Sequence, residues 1–346
     1  MTYGGSILKK IRVEEAVGMI LGHDLTKILP GKFKGAAFKK GYIIREEDIE
    51  VLKDMGKYHI YAVDLNEDYI HEDEAAIRIG RAVAGEGLYL EGPSEGKVSL
   101  KSKYKGLLKI NLKALEAINN IDLIVLATLH NNTLVEQGRT VAGTRIIPLT
   151  IKEERVKEVE KICSEHGAVI SLNKMRPVKV GIVVTGNEVY EGRVSDKFGP
   201  VLRSKINKYG VKLLDIEYVP DRSKKIQKAI KSLIGKGAEI VLAAGGMSVD
   251  ADDVTPDAIK KVSSKVITYG SPVLPGAMFM LAYTEKAAIL GIPACGMYSK
   301  TTVLDLILPR VLIGESLSKG DIVKLAHGGL CLSCEECRYP TCPFGK

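Results

Sequence analysis

Ile240-Val241-Leu242-Ala243-Ala244-Gly245-Gly246-Met247-Ser248 joins an apolar run to a glycine pair, and Val249-Asp250-Ala251-Asp252-Asp253-Val254-Thr255-Pro256-Asp257-Ala258 carries the chain on through an acidic turn. The apolar run reads as a buried strand, and Thr255 followed by Pro256 reads as the N-cap and first residue of a helix. Working outward, the same alternation recurs. Strands are expected at 178–184, 213–219 and 240–244, and helices at 201–209, 223–234 and 256–262. Strands alternating with helices predict a parallel sheet with right-handed crossovers, an α/β fold that gathers ligands at the carboxyl ends of its strands.

Two loops of unusual composition follow those strand ends. In the first, Thr185-Gly186-Asn187-Glu188 leads on to Asp196, so hydroxyl, amide and carboxylate groups surround a glycine that permits close backbone approach. In the second, Gly245 and Gly246 free main-chain N–H groups for an anion, and the helix after Thr255 opens toward the same space, forming a phosphate cradle. Asp250, Asp252 and Asp253 would repel a bare phosphate there, so a divalent cation such as Mg²⁺ is expected to bridge them. The plainer reading is a capped helix preceded by a solvated acidic turn.

These segments resemble a known family. Thr185-Gly186-Asn187-Glu188, Asp196, the Asp221 of Val219-Pro220-Asp221, and Gly245-Gly246-Met247-Ser248 with Asp253 look like the molybdopterin-binding domain of molybdopterin molybdotransferases and the related molybdopterin adenylyltransferases, over residues 178–315. The resemblance implies a three-layer parallel-sheet domain, and molybdopterin or its adenylylated form as ligand. It further implies molybdate as co-substrate, a transferase role in molybdenum cofactor biosynthesis and a homo-oligomer. By the same resemblance Glu188, Asp221 and Asp253 are the catalytic positions, holding the pterin phosphate through metal. Thr185, Gly186, Asn187, Asp196, Gly245, Gly246, Ser248, Thr255, Pro275 and Gly276 are the cofactor-binding ones. Two loops depart from the family. Its Pro-Gly-Lys-Pro is Pro275-Gly276-Ala277-Met278 here, without the lysine expected to hold an oxyanion, and its Leu-Pro-Gly-Asn-Pro is Ile292-Pro293-Ala294-Cys295-Gly296. A noncatalytic carrier or sensor that docks a molybdenum or tungsten enzyme is therefore an alternative. A third is an adenylyltransferase, similar in Asp253-Val254-Thr255-Pro256-Asp257-Ala258 but with Asp252 where that branch tends to carry a basic residue.

The 346 residues exceed a single typical domain. A small α+β module is expected at 1–70, a mixed, partly β-rich module at 71–176, the pterin-binding domain at 177–318 and a Cys-rich tail at 319–346. The first has a short helix beginning at Val13, a helix at 45–55, a strand at 60–63 and basic, Gly-containing loops at 30–35. The acidic run 67–74 reads as a boundary. Short strands and turns follow over 91–109, with helices at 112–118 and 152–166 and strands at 121–128 and 168–172. Residues 31–63, with Phe38-Lys39-Lys40-Gly41-Tyr42-Ile43-Ile44, are also similar to the segment that precedes the pterin domain in the molybdotransferases.

A net charge of +8 and a pI near 9.0 favour anionic partners. Nucleic acid is not expected, because the chain has no Trp, five Phe and no basic run interleaved with aromatics for stacking on bases. No apolar stretch reaches the roughly 18 residues that span a bilayer, and the N-terminus lacks a secretory h-region, so a cytoplasmic protein without membrane partners is expected.

Cys331, Cys334, Cys337 and Cys342 crowd the end of the chain with C-x2-C-x2-C-x4-C spacing, which fits an iron–sulfur cluster or a Zn²⁺ site, or else a disordered reducing tail. The α/β core looks complete before Lys319, so the tail is expected to add a site and no core. Cys163 and Cys295 read as small buried apolar residues, and the six histidines lack paired ligand spacing.

Overall fold

A computed structural model describes the chain except residues 1, 4, 5, 8, 30–32, 64–67, 148, 249, 251 and 252, and the side chains of 1–8 and 26–36. The expected basic loop at 30–35, the start of the acidic run at 67 and the contrary Asp252 lie wholly or partly outside the described residues. Contacts divide the chain into two units, Met1–Asn131 with Val135–Asn173, and Asn132–Leu134 with Lys174–Lys346. The modules expected at 1–70 and about 71–176 fall mainly in the first unit, and those at 177–318 and 319–346 in the second.

In the first unit, His59–Val63 is the central strand of a three-stranded antiparallel sheet with Lys9–Arg12 and Ile20–Leu21. Helix Asp48–Asp54 buries Ile49 and Leu52 against Val13, Leu21 and Ile60. The helix expected from Val13 is a single 3₁₀ turn, Val13–Glu15. A second, four-stranded antiparallel sheet is formed by Ile124–Thr128, Thr140–Ile146, Lys97–Ser102 and Leu88–Ser94, in that order. Helix Glu72–Val83 contributes Ala75, Ile79 and Val83 to the core beside this sheet. Its first turn, Glu72, Asp73 and Glu74, is the acidic run that reads as a boundary in sequence. Carboxylates there complement the positive helix end, and His71 Nδ1 accepts the Asp73 N–H as a cap.

The second unit is built on a six-stranded sheet. Its strands are β1 (Lys179–Thr185), β2 (Lys212–Val219), β3 (Ile240–Ala244), β4 (Lys265–Tyr269), β5 (Met280–Tyr283) and β6 (Ala288–Ile292), in the order β2-β1-β3-β6-β5-β4. The first four in that order run parallel, and β5 and β4 join antiparallel, so the α/β sheet is mixed where a parallel one was expected. The reversal follows from the connection. Only Thr284 to Ala287 separate β5 from β6, with the Thr284 N–H donating to the Ala287 carbonyl, and a crossover to a parallel neighbour needs a dozen residues or more.

Helices cover both faces: α1 (Asn187–Tyr190), α2 (Phe198–Lys208), α3 (Ser223–Gly235), α4 (Thr255–Val262), α5 (Cys295–Tyr298) and α6 (Val303–Leu312). Every residue of β3 is buried, as a strand covered on both faces requires. One face packs Ile182, Leu242 and Leu290 with Leu202, Ile206 and Ile307; the other packs Val183, Val241 and Ile289 with Ile226, Ile230 and Ile259. At the start of α6, Thr302 and Asp305 form a capping box, and Lys205 of α2 closes an ion pair on Asp305 at 2.7 Å, both side chains largely buried.

The tail corrects an expectation. Phe344 is 3% exposed and belongs to the same core cluster as Leu306 and Val311, with Leu317 and Ile322 also buried there. Tyr339 stacks edge-on to Phe344 and donates to the Asp305 carbonyl at 3.1 Å. The core is therefore not complete before Lys319. Phe344→Ala should destabilise the second unit by about 3 to 5 kcal/mol, the usual range for emptying a buried Phe site. Denaturant unfolding of the full chain checks this, and a loss below about 1 kcal/mol would make the tail a surface appendage.

Candidate functional site

β1 and β3 lie side by side, so the loops that leave their carboxyl ends meet. They meet closely. Gly245 has φ +96°, and a Cβ on it would run into the Thr185 carbonyl and hydroxyl. A Cβ on Gly246, with φ +55°, would meet the Thr255 hydroxyl at 2.8 Å. Side chains at these positions would force the two loops apart, which is the physical content of the Gly-Gly pair. Beneath them the buried Thr185 and Thr255 hydroxyls are 3.3 Å apart.

Above this floor opens a cleft of about 750 Å³. It is lined by Glu188, Asp221 and Asp253, and by Thr185, Gly186, Asp196, Gly245, Gly246, Ser248, Pro275 and Gly276. Two candidates do not line it. Asn187 stands behind the wall, where its N–H donates to Asp221 Oδ2 at 2.9 Å and its side-chain oxygen accepts the Asp221 N–H at 3.2 Å. Thr255 does not cap its helix. It is the first helical residue, fully buried, with Val254 in the cap position, because the tertiary bond to Thr185 outcompetes the local one.

Asp196 lines the cleft with its carboxylate already engaged. It accepts from the Phe198 and Gly199 N–H groups at the start of α2 and from the Tyr218 hydroxyl at 2.9 Å. Glu188 sits on the one-turn helix α1 beside Gly186. The altered loops are both part of the cleft: Ala277 and Met278 on one side, Pro293, Ala294 and Cys295 on another. Cys295 is thus half-buried in the wall and not a core residue, whereas Cys163 is buried as expected. Sequence reading missed Lys197 and Tyr298, which also line the cleft. Lys197 directly follows Asp196, a spacing that offered a signal for it; Tyr298 offered none.

The electrostatics are one-sided. Among the described lining residues five carboxylates, Glu188, Asp196, Asp221, Asp250 and Asp253, face one cationic side chain, Lys197. Burial raises the Asp221 carboxyl above its ordinary value, Glu188 and Asp253 push the same way, and the Asn187 N–H and Thr185 hydroxyl oppose them. Asp221 Oδ1 is buried and has no hydrogen-bond partner in bonding geometry. A stripped carboxylate oxygen at the edge of an acidic cleft fits a divalent cation, which would be held by Asp221 with Glu188 and Asp253 nearby. Among the described residues no three His, Cys, Asp or Glu side chains are gathered to hold a metal by themselves, and Mg²⁺ commonly takes one or two carboxylates and completes its shell with waters and ligand phosphates.

The four tail cysteines line a second cavity of about 490 Å³, and Pro275 and Tyr298 belong to both cavities. They too are not gathered at one point.

Residues 181–312 match the family model described as "Probable molybdopterin binding domain", and residues 10–64 match a domain of unknown function. That first match lies within the second unit and covers less than half of the chain. Over 95 residues the chain is 34% identical to a CinA-like protein of Mycolicibacterium vanbaalenii, a match that covers 28% of this chain and 22% of that protein. The chain thus spans about a fifth of the length of such curated relatives. Among solved structures it is similar to the molybdopterin biosynthesis enzyme MoaB of Thermus thermophilus, at 20% identity and a TM-score of 0.37, covering 41% of this chain and 97% of that one. It is also similar to the tungsten cofactor synthesizing protein MoaB of Pyrococcus furiosus, at 18% identity and a TM-score of 0.32, covering 39% and 91%. No described helix is long and apolar enough to cross a membrane.

Asp221 gives a pH test. A carboxyl raised in the folded state binds its proton more tightly there than in the unfolded chain. Its favourable contribution is present below the ordinary carboxylate range and is lost as pH rises through the raised value. Asp221→Asn mimics the neutral form. Its melting temperature should match that of the wild type at the acid end and exceed it toward neutral pH. A difference that stays flat across this range removes the buried-charge account.

Proposed function

We propose that the second unit binds a phosphate-bearing molybdopterin through a divalent cation and acts as a molybdotransferase-like enzyme of molybdenum cofactor maturation. The supporting observation is the unpartnered Asp221 Oδ1 in an acidic cleft floored by Gly245 and Gly246. A phosphate entering among five carboxylates is repelled unless a cation intervenes. Mg²⁺ would supply that neutralisation and stabilise charge on a reacting phosphate. Asp221 is the anchor for the cation in this reading. Glu188 and Asp253 orient it and its waters, Gly245 and Gly246 leave main-chain room for the phosphate, and Lys197 supplies the positive charge missing from position 277. Asn187, behind Asp221, is a positioning residue.

A carrier or sensor is the second reading, and one observation favours it. Ala277 stands in the cleft wall where the resembling family has its lysine, so molybdate is held there less firmly. In that reading a molybdenum or tungsten enzyme receives the pterin, and the tail is the docking element. Adenylyl transfer has less support, because its signature runs through Thr255, which is buried away from the cleft.

Anoxic purification from a cofactor-producing host, with mass spectrometry of the bound pterin and a Mg²⁺-dependent titration, tests the ligand. Asp253→Asn then separates enzyme from carrier. Cation-assisted stabilisation of several kcal/mol corresponds to a fall of about a hundredfold or more in molybdate-dependent turnover, while affinity changes less. No pterin on the wild type overturns the reading. A wild type that binds pterin in a one-to-one complex without turnover selects the carrier.

A further inference from the structure

We propose that the tail is an iron–sulfur site, in which the thiolates of Cys331, Cys334, Cys337 and Cys342 bind a [4Fe–4S] cluster beside the pterin cleft. The cluster site stands independently of the pterin reading. Four cysteines line one cavity of about 490 Å³, and among the described residues that line it there is no His, Asp or Glu. The donor set is all sulfur, the choice that selects soft metals and iron–sulfur clusters over hard cations. A single zinc ion draws four sulfurs in to about 2.3 Å. Among the described residues the four thiols line the cavity without any three being gathered to hold one ion, a spread that suits a cluster of several atoms more than a single ion. Lys300 and Arg338 line it as well, which suits the net negative charge of a cluster bearing four thiolates.

The peptide that carries the cysteines is fixed at both ends. Leu330 bridges Leu274, whose N–H donates to the Gly329 carbonyl and whose carbonyl accepts the Cys331 N–H, each at 2.8 Å. At the far end Phe344 is buried in the core, and the Gly345 N–H donates to the Gly328 carbonyl at 2.9 Å. Between these anchors Cys334 and Cys337 remain exposed, where iron and sulfide can reach them, while Cys331 and Cys342 pack against the core. The C-x2-C-x2-C order and the Pro343 after the last cysteine echo the ferredoxin run, with a final spacing of four in place of three. Pro275 and Tyr298 form a wall common to this cavity and the cleft, so the cluster would sit one residue layer from the pterin site.

The test uses the full chain, purified anoxically and incubated with ferric iron, sulfide and a thiol reductant that reduces half of the iron, or in a parallel arm with Zn²⁺ alone, then desalted. The expected result is about four iron and four sulfide per chain with the visible absorption of a cluster and an electron-paramagnetic signal on reduction. Cys334→Ala with Cys337→Ala should lose at least half of that iron while melting like the wild type, because both side chains are exposed. Cys163→Ala, in the first unit, should retain all of it. Iron that washes away from the wild type overturns the proposal whatever the variants do. So does one tightly held zinc per chain that excludes iron, or iron that persists in the double variant.

Discussion

The floor of the cleft depends on one close approach, the crossing of Gly245 and Gly246 over the Thr185 and Thr255 hydroxyls. It brings Gly245, the first residue beyond β3, against Thr185, the last of β1, and so sets how closely the two cleft-lining loops approach. Asp221 reaches the same point from the end of β2, because the Asn187 N–H donates to its carboxylate and the Gly186 N–H is tied to the Val219 carbonyl at 3.3 Å. The crossing also denies water to Asp221 Oδ1. An unpaired buried polar group costs about 1 to 3 kcal/mol, whereas fully burying a single Val, Leu or Ile side chain contributes about 1.5 to 3 kcal/mol. With β3 buried along its entire length, the apolar sheet easily outweighs that penalty and holds the carboxylate in its unfavourable place.

The alternation of strands and helices in the second unit was legible because each apolar run was bounded by glycine, proline or charge, and the boundaries expected for β3 and α3 lie within a residue of those found. The antiparallel edge was not. Met280 to Tyr283 follows proline and glycine, and its direction is decided by the short turn at Thr284 to Ala287, which periodicity does not encode. Helix Glu72–Val83 was hidden for another reason. Acidic residues in a first helical turn and acidic residues in a linker have the same composition, and only the apolar stripe Ala75, Ile79 and Val83 separates them. In the site, residue types that need a loop were readable, while hydrogen bonds between loops were not. Thr255 before Pro256 has every local mark of a cap, yet Thr185, seventy positions away in the chain, claims its hydroxyl.

Charge shows the same division between the whole and the part. A chain of net charge +8 attracts anions from a distance. Screening limits that attraction to about 8 to 10 Å at ordinary ionic strength, and inside the cleft the nearest charges are carboxylates. Composition therefore describes the surface and not the lining. The proposed bridging cation would reconcile the two, because a divalent ion would turn the mutual repulsion of the acids into a shared attraction.

The loop at Leu274 to Met278 belongs to the cleft, yet its main chain is held from behind by the tail through Leu330 and Cys331. A lysine at position 277 would have bound an anion through its own side chain. With Ala277 there, the loop shapes the wall mainly through backbone and through Pro275, whose position depends on the strand-like pairing of Leu274 with the tail. Ala277 and the tail thus bear on the same wall. The wall is held here by packing and main-chain hydrogen bonds, which are short in range and exacting in position. Those bonds tie the main chain of the tail to that of the cleft wall at Leu274, the residue next to Pro275, so the tail and the wall share one set of positional constraints.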